Sequence, residues 1–344
     1  MTGPLICVAL GIEARAVRRG LPPGHDEVIR LGMGPRRAAR AAAGLPPGVP
    51  LALTGFAGAL DDGLSPGEVL VASEVRYDGQ VWPCPSAPLI AGDLARAGLA
   101  VQTGPVVTTR RVVTGGARRR AAREGMPAAA AERTQGRPAG TQETEHADHA
   151  NHAEGERAHT NHAEGEPARA ADMESGPVAA ARAGLPFAVV RVVVDTPSRP
   201  LLRPATIAHG LAARRVLTRL GPVLARWAAA TGTRRVLLGA PTGDMEGDPG
   251  TRPTPDLTLL VRPDARPPHP LRSDAHEPGG LHAVGAPGDV ALGWLAGART
   301  IRLAGGPPAL VSAVLTALEG LGPLVVEKQR ATAEATALPK EAWP

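Results

Sequence analysis

Three observations predict an α/β fold with a mostly parallel or mixed central sheet. They are short apolar runs bounded by glycine and proline, Ala- and Arg-rich segments of helical spacing between them, and the alternation of the two. The runs at residues 5–10, 51–54, 68–75 and 187–194 are β-branched or apolar and are expected as buried strands. Residues 14–19, 35–43, 92–97 and 176–183 carry the helical spacing, and a longer helix over residues 207–230 is expected to close this unit. A second α/β pattern starts at Arg235-Val-Leu-Leu-Gly-Ala240 and continues through Asp256-Leu-Thr-Leu-Leu-Val261, Thr300-Ile-Arg-Leu303 and a helix over residues 309–321. The Thr231-Gly-Thr233 step is the expected boundary, giving a unit over residues 1–230 and a smaller one over residues 235–344.

Composition narrows the function. The 344 residues are 43% hydrophobic, enough for a sizeable core and comfortable for two domains. A net charge of +5 would suit nucleic acid or an anionic membrane, but only 2% of residues are aromatic and no basic run is interleaved with rings for base stacking, so no nucleic-acid partner is expected. Lys328 and Lys340 are the only lysines in an otherwise all-Arg set of cations, which reflects GC-rich coding. Cys7 and Cys84 are the only cysteines, so a disulfide framework is not expected. The N-terminus lacks the pattern of a secretory signal and no apolar stretch reaches membrane-spanning length, from which a cytoplasmic location is expected.

From Gly115 to Ala170 the pattern dissolves into small and polar residues and is expected to be a disordered, low-complexity insertion. It repeats Asn151-His-Ala-Glu-Gly-Glu156 as Asn161-His-Ala-Glu-Gly-Glu166 and holds His146, His149, His152, His159 and His162, half of the chain's histidines. Imidazoles near carboxylates can ligate Zn or Ni, but the spacing matches no structural zinc pattern, and repeat expansion in a solvent loop explains it more simply. No metal site is assigned.

Three segments carry the chemistry. Ala9-Leu-Gly-Ile-Glu-Ala14 places Glu13 at a strand end just before a helix, where α/β folds gather ligands and the helix dipole favours an anion; a capping charge is the other reading. Asp172-Met-Glu-Ser175 places Glu174 beside Met173, which also fits a helix N-terminal box with an apolar core methionine. Asp195 ends the apolar run Arg191-Val-Val-Val-Asp195, where a buried unpaired carboxylate would be costly unless it had a role. Breaking an N-glycosidic bond passes through a ribosyl oxocarbenium ion, which calls for an acceptor on a ribose hydroxyl and an acid beside the departing base; Glu174 and Asp195 can fill these roles. Arg30-Leu-Gly-Met-Gly-Pro-Arg-Arg37 is a glycine loop entering a helix, either an ordinary tight turn or a set of backbone N–H groups facing an anion.

Together with Thr54-Gly-Phe-Ala-Gly-Ala-Leu60 and Leu64-Ser-Pro-Gly-Glu-Val-Leu-Val-Ala-Ser-Glu-Val75, these segments resemble the purine nucleoside phosphorylase and nucleosidase superfamily over about residues 4–228. The resemblance implies a three-layer α/β/α domain with a central mixed sheet. It implies that Glu13 helps to activate the attacking water in hydrolases, that Met173 packs on the sugar and Glu174 binds ribose hydroxyls, and that Asp195 protonates the base near N7. Gly55 and Gly58 would let the backbone approach the nucleoside. Gly32 and Gly34, with cationic help from Arg30 or Arg36, would hold phosphate as co-substrate. A departure is Arg110 in Val107-Thr-Thr-Arg-Arg-Val-Val113, where relatives often carry an acid, which puts base recognition in doubt.

Residues 235–344 resemble hydroxymethylbutenyl diphosphate reductase with its chemistry removed. Leu238-Gly-Ala-Pro-Thr-Gly-Asp-Met-Glu-Gly247 aligns with the loop that carries a cluster cysteine, but Met245 stands in its place and the region has no cysteine, so no iron–sulfur cluster is expected. Arg262-Pro-Asp-Ala-Arg-Pro-Pro-His269 and Ala304-Gly-Gly-Pro-Pro308 replace the diphosphate-binding loops, while Trp294-Leu-Ala-Gly-Ala-Arg-Thr300 and the ending Leu338-Pro-Lys-Glu341 are retained. The expectation is a non-catalytic relic fused to a phosphorylase of the hopanoid-associated subgroup, which would release adenine from adenosylhopane. Its partners would be a small nucleoside, a membrane touched peripherally through the lipid substrate, and further copies in a homo-oligomer. A methylthioadenosine or adenosylhomocysteine hydrolase and a non-catalytic scaffold are the competing readings.

Overall fold

A computed structural model of the chain describes residues 3–25, 28–124, 166–200, 206–239, 255–265 and 279–328. The first unit is built on an eight-stranded mixed sheet in the order β2-β1-β3-β7-β6-β4-β5, with β8 pairing both β3 and β4. The strands are β1 (Leu5–Val8), β2 (Val28–Arg30), β3 (Leu51–Ala59), β4 (Val69–Tyr77), β5 (Gln80–Pro83), β6 (Val101–Thr108), β7 (Ala170–Asp172) and β8 (Phe187–Asp195). β8 runs parallel to β3 and antiparallel to β4, so the pairings β3, β7, β6, β4, β8 and back to β3 form a closed cycle.

Alternation along the strands produces the layers, because successive side chains leave a strand on opposite faces. Ile6, Val8, Ala52, Val69, Val71, Val190 and Val192 share one core. Leu5, Cys7, Leu51, Leu53, Leu70, Val189 and Val193 share the other. The first face is covered by helices α1 (Gly11–Gly20), α3 (Ala87–Arg96) and α6 (Thr206–Ala230), and the second by α2 (Pro35–Ala43) and α5 (Ser175–Ala181). Cys7 and Cys84 are buried and not joined by a disulfide. Among the described residues, no helix is long and apolar enough to cross a membrane, and no group of metal-ligating side chains is present.

The smaller α/β region has a five-stranded, all-parallel sheet in the order β11-β10-β12-β9-β13. Its strands are β9 (Arg234–Gly239), β10 (Leu257–Val261), β11 (Gly280–Val284), β12 (Thr300–Ala304) and β13 (Leu324–Lys328), with helices α7 (Leu292–Leu295) and α8 (Pro308–Glu319). Its apolar side chains join the first unit's core without a break: Trp227 and Leu224 lie in one cluster with Val236, Leu259, Leu295 and Leu318. Asp93 of α3 binds this join. Its fully buried carboxylate accepts from Arg96, from Arg226 Nε at 2.7 Å and from the Leu292 N–H at 3.1 Å, while Arg96 also donates to the Gly288 carbonyl at 2.8 Å. The two backbones meet at Gly92 and Gly288, where any side chain on Gly92 would collide with the Gly288 carbonyl. Replacing Asp93 with Ala strands two arginines at this seam. It is expected to cost roughly 3–5 kcal/mol by chemical denaturation, in one transition, since breaking a buried pair leaves an uncompensated charge. A loss below 1 kcal/mol would show that the seam relaxes.

Two expectations need correction. The stretch from Gly115 to Ala170 is not wholly insertion: Gly116–Glu124 forms a helix, α4, and Ala170–Asp172 is strand β7. Ala121 and Ala168 pack with Leu60, Val107 and Ala171. Strands β2, β5, β6, β11 and β13 also lie where no strand was expected. The histidines of the repeat segment, Met245 and the Leu338–Glu341 ending lie outside the described residues.

Candidate active site

A cavity of about 320 Å³ opens where β1, β3 and β8 end and β7 turns into α5. This is the carboxyl edge of the parallel strands, where open α/β sheets hold ligands. Glu13, Met33, Phe56, Gly58, Thr109, Val112, Arg118, Asp172, Met173, Glu174 and Asp195 are among its lining residues. Of the residues expected from sequence, Glu13, Met173, Glu174, Gly58 and Asp195 therefore converge on one space.

Glu13 sits in the first turn of α1 and is 2% exposed. Its Oε2 accepts from the N–H groups of Ala9 at 3.0 Å and Leu10 at 2.7 Å, and its Oε1 from that of Phe56 at 2.8 Å. A carboxylate has about four acceptor positions, so capacity for one more donor remains. Burial raises its carboxyl above the ordinary range, opposed by those backbone donors and by the Arg191 charge. Gly55 does not line the cavity but makes this placement possible. At φ +151 a Cβ there would lie 2.6 Å from Glu13 Oε1 and 3.0 Å from Arg191 Nη1.

Arg191 is the residue that sequence reasoning missed. It lies in β8, fully buried, with Nη2 bonded to Asp172 and, at 2.9 Å, to Ser175 Oγ, and 3.9 Å from Glu174 Oε2. Asp172 is itself fixed by Thr108 Oγ at 2.8 Å and by the Ser175 N–H and hydroxyl. Among the described residues, Nε and Nη1 of Arg191 have no hydrogen-bond partner. The available signal was a lone arginine inside an unbroken apolar strand, since a buried guanidinium requires carboxylates around it.

Glu174 is 4% exposed and precedes α5. Burial raises its carboxyl, with Arg191 opposing. Its Oε1 accepts from the Gly34 N–H at 2.8 Å, at the loop expected to hold phosphate. The donor that was to face an anion at the start of α2 is engaged by a carboxylate 140 residues along the chain. Arg30 and Arg36 are exposed, and neither they nor Gly32 and Gly34 line the cavity; only Met33 of that loop does. Arg110 is also outside it, exposed and 3.7 Å from Asp78.

Asp195 closes the far end. A bulge at Ala57/Gly58 shifts the β3–β8 register there, and the carboxylate lies against Gly58. Burial raises its carboxyl, while Arg118 of α4 bonds Oδ2 and pulls it back. Thr109, Val112 and Val113, from the stretch expected to contact the base, lie along the same wall, with Phe56 the aromatic side chain among the lining residues.

The family model described as the Phosphorylase superfamily matches residues 28–226. Among solved structures, the chain is similar to the 5′-methylthioadenosine/S-adenosylhomocysteine nucleosidases of Helicobacter pylori (14% identity, covering 64% of this chain and 96% of that one, TM-score 0.44) and Campylobacter jejuni (13%, 64%, 96% and 0.45). It is also similar to that of Streptococcus pneumoniae (17%, 64%, 99% and 0.42). No curated protein matches. With the family model covering more than half of the residues, the chain belongs to the phosphorylase superfamily.

Proposed function

We propose that the protein cleaves the N-glycosidic bond of a purine nucleoside that carries an apolar 5′ substituent, with water as the acceptor. The observation that carries this reading is the division of one cavity between two kinds of end. Glu13 lies at one, beside Gly55 and backed by the buried Arg191 guanidinium, Asp195 at the other beside Gly58, and Glu174 lines the wall of the same cavity. The volume falls within the range of small-molecule sites, roughly 300–1,000 Å³.

In this reading Glu174 accepts hydrogen bonds from the ribose hydroxyls and supports the oxocarbenium charge. Asp195 gives its proton to the base at N7 as the C1′–N9 bond breaks, so the base leaves neutral. Water held by Glu13 attacks C1′, and its proton passes to Glu13. Burial favours both transfers, since a raised carboxyl makes Asp195 a competent acid and Glu13 a better base.

Water is favoured over phosphate by charge. Four acidic side chains, Glu13, Asp172, Glu174 and Asp195, line the cavity with one arginine, Arg118, while Arg191 is buried behind it, and both guanidiniums already hold carboxylates. A phosphate dianion would enter an excess of negative charge without the free backbone donor of Gly34. The apolar 5′ substituent is supported by exposed Met33 (52%) and Val112 (68%), which line the cavity, with Ile12 (46%) on the adjoining turn of α1. A hopanoid nucleoside releasing adenine, as the sequence resemblance implies, is the first substrate to try. Base release in phosphate-free buffer tests the acceptor: a rate unchanged by added phosphate is expected, and a rate that requires phosphate would make the enzyme a phosphorylase.

A further inference from the structure

Arg118 is a buried cation that the reaction described above does not use. It sits in α4, 2% exposed, and its guanidinium is shared between two acceptors: Nη2 bonds Asp195 Oδ2 and Nη1 bonds the Ala59 carbonyl. The Ala59 contact fixes the guanidinium against β3, so the arginine cannot swing freely with the carboxylate it holds. α4 is itself tied down, with Ala121 packed against Leu60, Val107 and Ala171. Asp62, beyond the end of β3, feels the Arg118 charge from outside but is bound to Ser198 Oγ at 2.7 Å. Gly58 and Ala59 of β3 are uncharged, Glu13, Asp172 and Glu174 line the same cavity, and the buried Arg191 is bonded to Asp172.

We propose that Arg118 is a positioning residue for Asp195, which holds one carboxylate oxygen so that the other faces the departing base and sets the upper pH limit of catalysis. The inference rests on the role given to Asp195 above. An acid must be protonated to act, so activity falls as pH rises through its pKa. A cation held against the carboxylate favours the ionised form and brings that fall to lower pH. Removing the cation therefore moves the descending limb upward. Geometry adds a second effect: without the two-point clamp the carboxylate samples other rotamers, and kcat falls even where the acid form is populated.

The test compares wild type, Arg118→Lys and Arg118→Met in kcat/KM against pH with a purine nucleoside, since kcat/KM reports the free enzyme. In parallel, the Asp195 carboxyl is titrated directly by NMR with isotope-labelled aspartate, assigned through Asp195→Asn. The expected result is an upward shift of the descending limb and of the Asp195 titration in Arg118→Met, on the order of 1–3 pH units, with Arg118→Lys remaining near wild type. A uniform loss of activity with neither limb nor titration moved would overturn the proposal and leave Arg118 as a structural anchor of α4. If wild type cleaves no nucleoside, the functional reading fails but the titration still decides whether Arg118 governs Asp195. An Asp195 titration that does not move when the cation is removed overturns the proposal in that case too.

Discussion

Asp195→Asn is expected to lower kcat by about 100-fold or more, because the amide keeps the carboxyl's shape but has no transferable proton, and general acid catalysis is worth roughly 10²–10⁴. The loss should fall on kcat more than on KM, since proton transfer is made only in the transition state. The same substitution leaves the buried Arg118 guanidinium facing a neutral partner, so some stability should be lost with it. Activity is therefore expressed per folded enzyme, with the folded fraction taken from thermal denaturation of the same sample. A nucleoside whose N7 is already methylated supplies the internal comparison: its base leaves without protonation, and the variant should cleave it at close to the wild-type rate. Full activity of Asp195→Asn on the unmethylated substrate would remove Asp195 from the mechanism.

Arg191→Leu is expected to have the larger structural effect. The guanidinium is fully buried and bonds Asp172, with Glu174 and Glu13 also feeling its charge. Taking it away leaves buried carboxylates without a counter-ion, at a cost of roughly 3–5 kcal/mol. The pH dependence has a definite sign. Burial already raises Glu13 and Glu174 in the folded chain, with Arg191 opposing, so its removal raises both further. A carboxyl whose folded pKa lies above its unfolded one binds more protons when folded, and stability falls as pH rises from the unfolded value through the folded one. The deficit of Arg191→Leu should accordingly be smallest in acid and grow toward neutral pH. Equal destabilisation at all pH values in chemical denaturation would show that packing, and not charge, is what Arg191 supplies.

The parts of the site legible in the sequence were those carried by a residue type in a telling local setting. Glu13 and Asp195 each stand at the end of an apolar run, and Glu174 lies in a short motif; the fold brings all three to one cavity. Arg191 was equally visible but was not recognised, because its meaning depends on Asp172, whose partnership is set by the pairing of β7 and β8 with β3. Arg118 was hidden by composition. A helix of alanine and arginine at the edge of a low-complexity tract resembles that tract, and only the contact of Ala121 with Leu60 and Val107 makes its small side chains a packing surface. The glycine loop is the opposite case. Its local pattern was that of an anion site, and the anion proved to be Glu174, a carboxylate remote in sequence. At the level of the fold, the alternating strands of the central sheet were readable, whereas β2, β5 and β7 are only three or four residues long and owe their form to their neighbours. The continuity of the core across α6 into the smaller region was not readable at all, since Asp93, Arg226 and Leu292 give no sequence sign of meeting.

The most direct test of the central claim is product analysis of the wild-type enzyme in water enriched in heavy oxygen. It uses a purine nucleoside with an apolar 5′ substituent, with and without phosphate, followed by mass spectrometry of the sugar. Free base and a sugar labelled at its anomeric oxygen, formed at the same rate in both conditions, are the predicted result. An unlabelled sugar 1-phosphate that forms only when phosphate is present would contradict it.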